Sequence, residues 1–194
     1  MNLLERLRLY ITITRSEAIA RRYFVVNGFD GALTMLGLTV GFLASGADVE
    51  PGVVLGACLG AAIALGMSGL TSAYISESAE KKKELRELES AMMTDLQAST
   101  HGMASRLIPV LVALVNGLSP LLISLVIILP LWLGKLGVEL PVRPLSASIG
   151  MAIVLLFLLG VFLGRISGSF WLWAGLRTLV VALVTVALVL GLAG

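Results

Sequence analysis

Asp30 stands inside an otherwise apolar run from Tyr23 to Ser45. An ionised side chain at the centre of a lone membrane helix costs about 2.5–3.5 kcal/mol, a cost that persists where a partner or a water-filled path receives the group. Asn27, Asp30, Thr34, Gly37 and Gly41 recur at three and four residues, so on a helix they share one face, polar or small throughout. Arg177 is a second charge inside an apolar run. Counting inward from the charged ends, Asn27, Asp30, Met67, Asn116 and Arg177 all fall about two turns deep, near 10 Å. A layer of carboxylate, amide and thioether groups can pass a cation. Sulfur with oxygen suits a borderline transition metal such as ferrous iron.

The same residues allow plainer roles. Gly37-x-x-x-Gly41, Gly56-x-x-x-Gly60 and Gly160-x-x-x-Gly164 are small-residue spacings that pack membrane helices together. Asp30 and Arg177 could form a structural ion pair, and a lone membrane methionine such as Met67 often only fills space.

A second group of donors lies in residues 77–106, the one sizeable hydrophilic segment. Glu77, Glu80, Glu84 and Glu87 fall within roughly an 80° arc of a helix. On the same helix Asp95 returns to the edge of that arc and Met92 lies beside it. Met93, His101 and Met103 are close in sequence. Carboxylate, thioether and imidazole together suit Fe²⁺ or Mn²⁺ better than Mg²⁺ or Ca²⁺. The plainer reading is a solvated helix laced by pairs such as Glu77 with Lys81.

The elements that must position these groups follow from composition. The 194 residues are 58% hydrophobic and only 13% charged, against roughly a quarter charged in soluble domains. That excludes a soluble globule, a disordered tail and a nucleic-acid-binding module. A single cysteine, Cys58, excludes an intrachain disulfide and a CxxC motif. Five apolar runs are long enough to cross a bilayer as helices: Tyr23–Ser45, Val53–Ser76, Leu107–Leu133, Leu145–Leu163 and Phe170–Leu192. The expected fold is all-α and polytopic, with residues 23–76 and 107–194 holding the spans, and 77–106 a cytosolic helical loop. Residues 1–22, alternating Leu and Ile with Arg, are expected as an interfacial helix.

Five spans put Arg6, Arg8, Arg15, Arg21, Arg22, Lys81, Lys82, Lys83, Arg86, Arg106 and Arg165 on one side. Lys135 and Arg143 fall on the other. The positive-inside bias places the N-terminus in the cytosol and the C-terminus outside, with a prokaryotic plasma membrane expected.

An internal parallel repeat is also visible. Val26-Asn27-Gly28 in the first span matches Val115-Asn116-Gly117 in the third. Gly69, Ala73, Ile75 and Ser76 in the second match Gly160, Gly164, Ile166 and Ser167 in the fourth. Repeats of this kind are common in transporters. No nucleophile–base pair, P-loop or GxGxxG motif is present, so the chain is not expected to be an enzyme, and any transport must use an existing gradient.

At Phe29-Asp30-Gly31-Ala32-Leu33-Thr34-Met35-Leu36-Gly37 and again at Tyr74-Ile75-Ser76 the chain resembles the vacuolar iron transporter family. It departs from the family at Phe29, where the family carries Asn, and at Ser72-Ala73, where it carries Gly-Glu. The short loop would reduce a multi-helix domain to one helix and a turn. The resemblance implies a homodimer that moves Fe²⁺, sometimes Mn²⁺, out of the cytosol in exchange for protons. Metal is then the substrate, with no permanently bound cofactor. Asp30 would match the family's membrane aspartate, Met67 its pore methionine, and Glu77, Glu80, Glu84, Glu87, Met92 and Asp95 its cytosolic metal-binding region. The alternative is a membrane scaffold or metal-responsive interaction protein that transports nothing.

Overall fold

A computed structural model describes residues 16–46 and 49–193. Among them the chain is all-helical: α1 (Ser16–Ala44), α2 (Pro51–Met92), α3 (Thr100–Lys135), α4 (Pro144–Ile166) and α5 (Trp171–Ala193). All five are long and apolar enough to cross a membrane, so the chain is a multi-pass membrane protein with each span near its expected place.

Two helices run well past their apolar segments. The 42 residues of α2 span about 63 Å at 1.5 Å per residue, twice the thickness of a bilayer core. Nothing between Ser76 and Glu77 breaks the helix, because the Ala-, Glu-, Lys- and Leu-rich stretch that follows has high helix propensity. The loop is thus the far half of α2, a turn, and the first residues of α3. Ser16–Arg22 are likewise the opening turns of α1 rather than a separate helix. The rest of the expected interfacial helix lies outside the described residues.

Proline starts two of the helices and glycine follows three of them. Pro51 opens α2 and Pro144 opens α4, where a missing N–H removes no helical bond. Gly46, Gly137 and Gly168 follow α1, α3 and α4 with φ between 61° and 80°, the left-handed cap. After α2 that place falls to Met93, at φ 51°.

The described residues form two compact units, and α1, α2 and α3 each contribute to both. The first, the charged unit, takes in residues up to Phe24 and Gly66–Leu118. Its small core is Ala104, Ile108 and Val112 with Tyr23 against them. The second, the apolar unit, is Val25–Leu65 and Ser119 onward. Its core is larger, drawn from Met35, Leu36 and Val40 on α1, Leu55 and Cys58 on α2, Ile127 and Ile128 on α3, and Leu156 on α4. There α1 meets α3 at Gly31, where a Cβ would lie 2.7 Å from the Pro120 carbonyl oxygen; any larger residue would push the helices apart. Of the apolar side chains on α5 only Ala182 is buried, while Leu176, Val180, Leu183 and Leu188 face outward. That outward apolar surface is what a lipid-facing helix presents.

Candidate functional site

In the apolar unit Asp30 is exposed on α1, with Asn27 and Thr34 half-buried beside it on the same face. Gly37 continues the face and is open: a Cβ there would meet nothing within 4 Å. The expected polar or small stripe therefore exists as a surface.

Arg177 does not pair with Asp30. The ion pairs among the described residues are Lys81–Glu84 and Lys83–Glu87. The reason lies in how α5 sits on α4. Gly175 faces Phe157, and the Thr178 hydroxyl donates to the Leu156 carbonyl at 2.9 Å. Arg177, one residue before Thr178 and so about 100° round the helix, is left on the exposed side.

The glycine spacings divide in the same way. Gly160 and Gly164 are packed, the first against Thr178 and the second against Ala174 and Trp171. Gly37, Gly56 and Gly60 have nothing within 4 Å of an added Cβ, and Gly41 has only Val189 at 3.8 Å. Packing within the chain thus explains the seam on α4 and leaves those on α1 and α2 unused.

In the charged unit Met67 is 58% exposed on α2. Asn116, expected along a transport path, instead has a structural place. It is buried, and its Nδ2 donates to the Gly69 carbonyl at 2.6 Å. The two helices touch closely here: a Cβ on Gly69 would lie 2.9 Å from the Asn116 carbonyl oxygen, and one on Gly117 2.6 Å from that of Gly66. Asn116 therefore ties α3 to α2.

The loop carboxylates are largely engaged. Glu77 accepts from the Tyr23 hydroxyl at 3.1 Å, not from Lys81, which pairs with Glu84 at 2.6 Å. Lys83 lies 3.9 Å from Glu87. Asp95 does not return to the acidic face, because the helix has ended at Met92 and Met93 turns the chain. Its carboxylate instead accepts the Gln97 N–H at 2.8 Å, closing an Asx turn. Glu89 was missed by spacing. Its carboxylate accepts the Leu96 N–H at 3.1 Å and the Gln97 side-chain amide at 3.3 Å, which holds the turn between α2 and α3.

Glu80 and Met92 are exposed. His101 shares a cavity of about 60 Å³ with Glu84 and Lys81, so an ammonium group already occupies the carboxylate a metal would need. Among the described residues, no three His, Cys, Asp or Glu side chains converge in a group able to hold a metal ion.

No family model matches the chain. An uncharacterized protein of the archaeon Methanocaldococcus jannaschii, MJ0645, is 30% identical over 165 residues, covering 84% of this chain and 82% of that protein. Such identity over four fifths of both sequences makes them homologous along almost their full shared length, and the chain belongs to the same family as MJ0645 of Methanocaldococcus jannaschii.

Proposed function

We propose that this chain is a divalent-metal transporter, with Fe²⁺ the favoured substrate and Mn²⁺ the nearest alternative. It works as a homodimer that exports metal from the cytosol by proton antiport. The observation that carries the reading is Asp30: a carboxylate exposed on a membrane-spanning helix, outside every ion pair among the described residues. Left against lipid it would cost about 2.5–3.5 kcal/mol, so the face it belongs to is one that meets water or a second copy. The unused glycine at 37, on the same face, supports close approach by another helix at that surface.

In this reading Asp30 binds the ion and carries the returning proton. The loop acids draw cations to the mouth. In this reading the metal site is completed by the second copy. The chain is not an enzyme, and the loop and N-terminus face the cytosol of a prokaryotic cell.

One observation favours the scaffold reading instead: Glu77, Glu84, Glu87, Glu89 and Asp95 are held by hydroxyl, ammonium and N–H donors. Fe²⁺ flux into proteoliposomes under an imposed pH gradient separates the two. The transporter reading expects gradient-dependent flux in the wild type that disappears in Asp30→Asn. Folded wild-type protein without flux would overturn it in favour of the scaffold, and full flux in Asp30→Asn would move the path away from α1.

A further inference from the structure

The charged half of α2 carries a second pattern, set apart from its acids. Tyr74, Ser78, Lys82 and Arg86 are spaced by four and so form one stripe along the helix. Across from it α3 offers Ser105 and Arg106, and together these six line a cavity of about 410 Å³. Leu85 and Gln97 complete the wall. No acidic residue is among these lining residues.

The basic side chains here differ from their neighbours. Lys81 and Lys83 are paired with Glu84 and Glu87. Lys82, Arg86 and Arg106 belong to no ion pair among the described residues, and Arg106 makes only a neutral bond to Gln97, Nη2 donating to Oε1 at 3.3 Å. The nearby Glu89 carboxylate accepts from the Leu96 N–H and the Gln97 amide. Three cations and three hydroxyls therefore line a space with no acid in its own wall, and Arg86 also borders the adjoining cavity that Glu89 and Asp95 line.

We propose that this cavity binds a phosphate group. Two guanidinium forks and an ammonium match its negative charge, and the hydroxyls of Tyr74 and Ser78 can donate to its remaining oxygens, while the Ser105 hydroxyl donates to the Gly102 carbonyl at 2.9 Å. The cavity begins where the apolar run of α2 ends, at Tyr74 to Ser78, which is headgroup depth for a helix leaving a bilayer. Basic pockets between helices at that level receive phospholipid headgroups. The phosphate can come from an anionic lipid or from solution. The site does not include Asp30 and does not rest on the transport reading.

The test uses the full chain in detergent. Native mass spectrometry compares retention of phosphatidate with that of phosphatidylcholine, and thermal unfolding is followed with inorganic phosphate against chloride at equal ionic strength. Variants are the double substitution Arg86→Gln with Arg106→Gln, the single Lys82→Gln, and the control Lys83→Gln, which removes one charge outside the cavity.

Wild type should retain phosphatidate about tenfold better than phosphatidylcholine. The double variant should lose that preference, Lys82→Gln should lose part of it, and Lys83→Gln should keep it. Protection by inorganic phosphate, lost in the same variants and without lipid preference, would uphold the site and assign it to a soluble phosphate. Equal loss in Lys83→Gln, or no response to either probe, would overturn the proposal. Should the double variant fail to fold, the contrast between Lys82→Gln and Lys83→Gln decides.

Discussion

Val26-Asn27-Gly28 and Val115-Asn116-Gly117 are the same tripeptide on two helices, and the two units use them differently. In the charged unit Asn116 is buried and bonded to the Gly69 carbonyl at 2.6 Å, with Gly117 seated against the Gly66 backbone. In the apolar unit Gly28 faces Ser119 and Leu159, and an added Cβ would be 3.3 Å from the nearest atom. Asn27 there is half-buried and Asp30, three residues on, is exposed.

Leu159 sits one residue before Gly160, the position that matches Gly69 in the repeat, so the two copies meet similar places on their neighbours. The difference is the residue they meet. At Gly69 the backbones come close enough for Asn116 to reach a carbonyl, whereas at Gly28 the side chains of Ser119 and Leu159 stand between the helices. One copy has become a joint. The other carries Asp30 on an exposed face.

Four substitutions would break or sharpen this contrast, ranked by their effect on folded stability in detergent. Gly117→Leu is expected to be the most damaging, because its side chain would enter the Gly66 and Leu70 backbone; overpacking of this kind costs about 3 kcal/mol and should show as loss of monodisperse protein. Asn116→Ala should lower stability by about 2 kcal/mol by removing a buried bond; a thermal midpoint equal to wild type would show that the joint is no joint.

Gly37→Ala should raise the stability of the chain by about 0.5–1 kcal/mol, since alanine is the better helix former and no atom lies within reach of the new methyl. A destabilised but still folded variant would mean that the second copy of the proposed homodimer packs against Gly37 in detergent, where the added methyl would hold it off. Asp30→Asn should change stability least, within about 0.5 kcal/mol, since the side chain is exposed and outside the ion pairs of the described residues. If it proved as destabilising as Asn116→Ala, Asp30 would be a structural group and the two copies would be alike after all.

Much of the fold was legible along the chain because hydrophobic length alone identifies a membrane span. All five spans and the helical character of residues 77–106 were expected from local composition. The candidate site was legible in part. Charge inside an apolar run singles out Asp30 whatever its surroundings, and the stripe from Asn27 to Gly41 follows from helical spacing. What spacing could not tell was which side of each stripe another helix covers. Arg177 and Asn116 share the depth of Asp30 in the sequence, yet one is turned outward by the Thr178 contact and the other is taken by a backbone carbonyl.

The loop shows the same limit. Helical spacing was valid as far as Met92 and failed for Asp95, because a left-handed residue at Met93 reset the chain direction. Glu89 then became a turn holder, a role that depends on what folds back towards it.

Hydropathy and periodicity are properties of each helix by itself, so the spans, their order and the faces they carry were determined by the sequence alone. The burial of a face, the partner of a charge and the closure of Lys82, Arg86 and Arg106 around one cavity depend on contacts between segments distant along the chain. Those contacts are set by side-chain volume at a few close approaches, such as Gly31 on Pro120 and Gly69 on Asn116, and only the tertiary structure decides them.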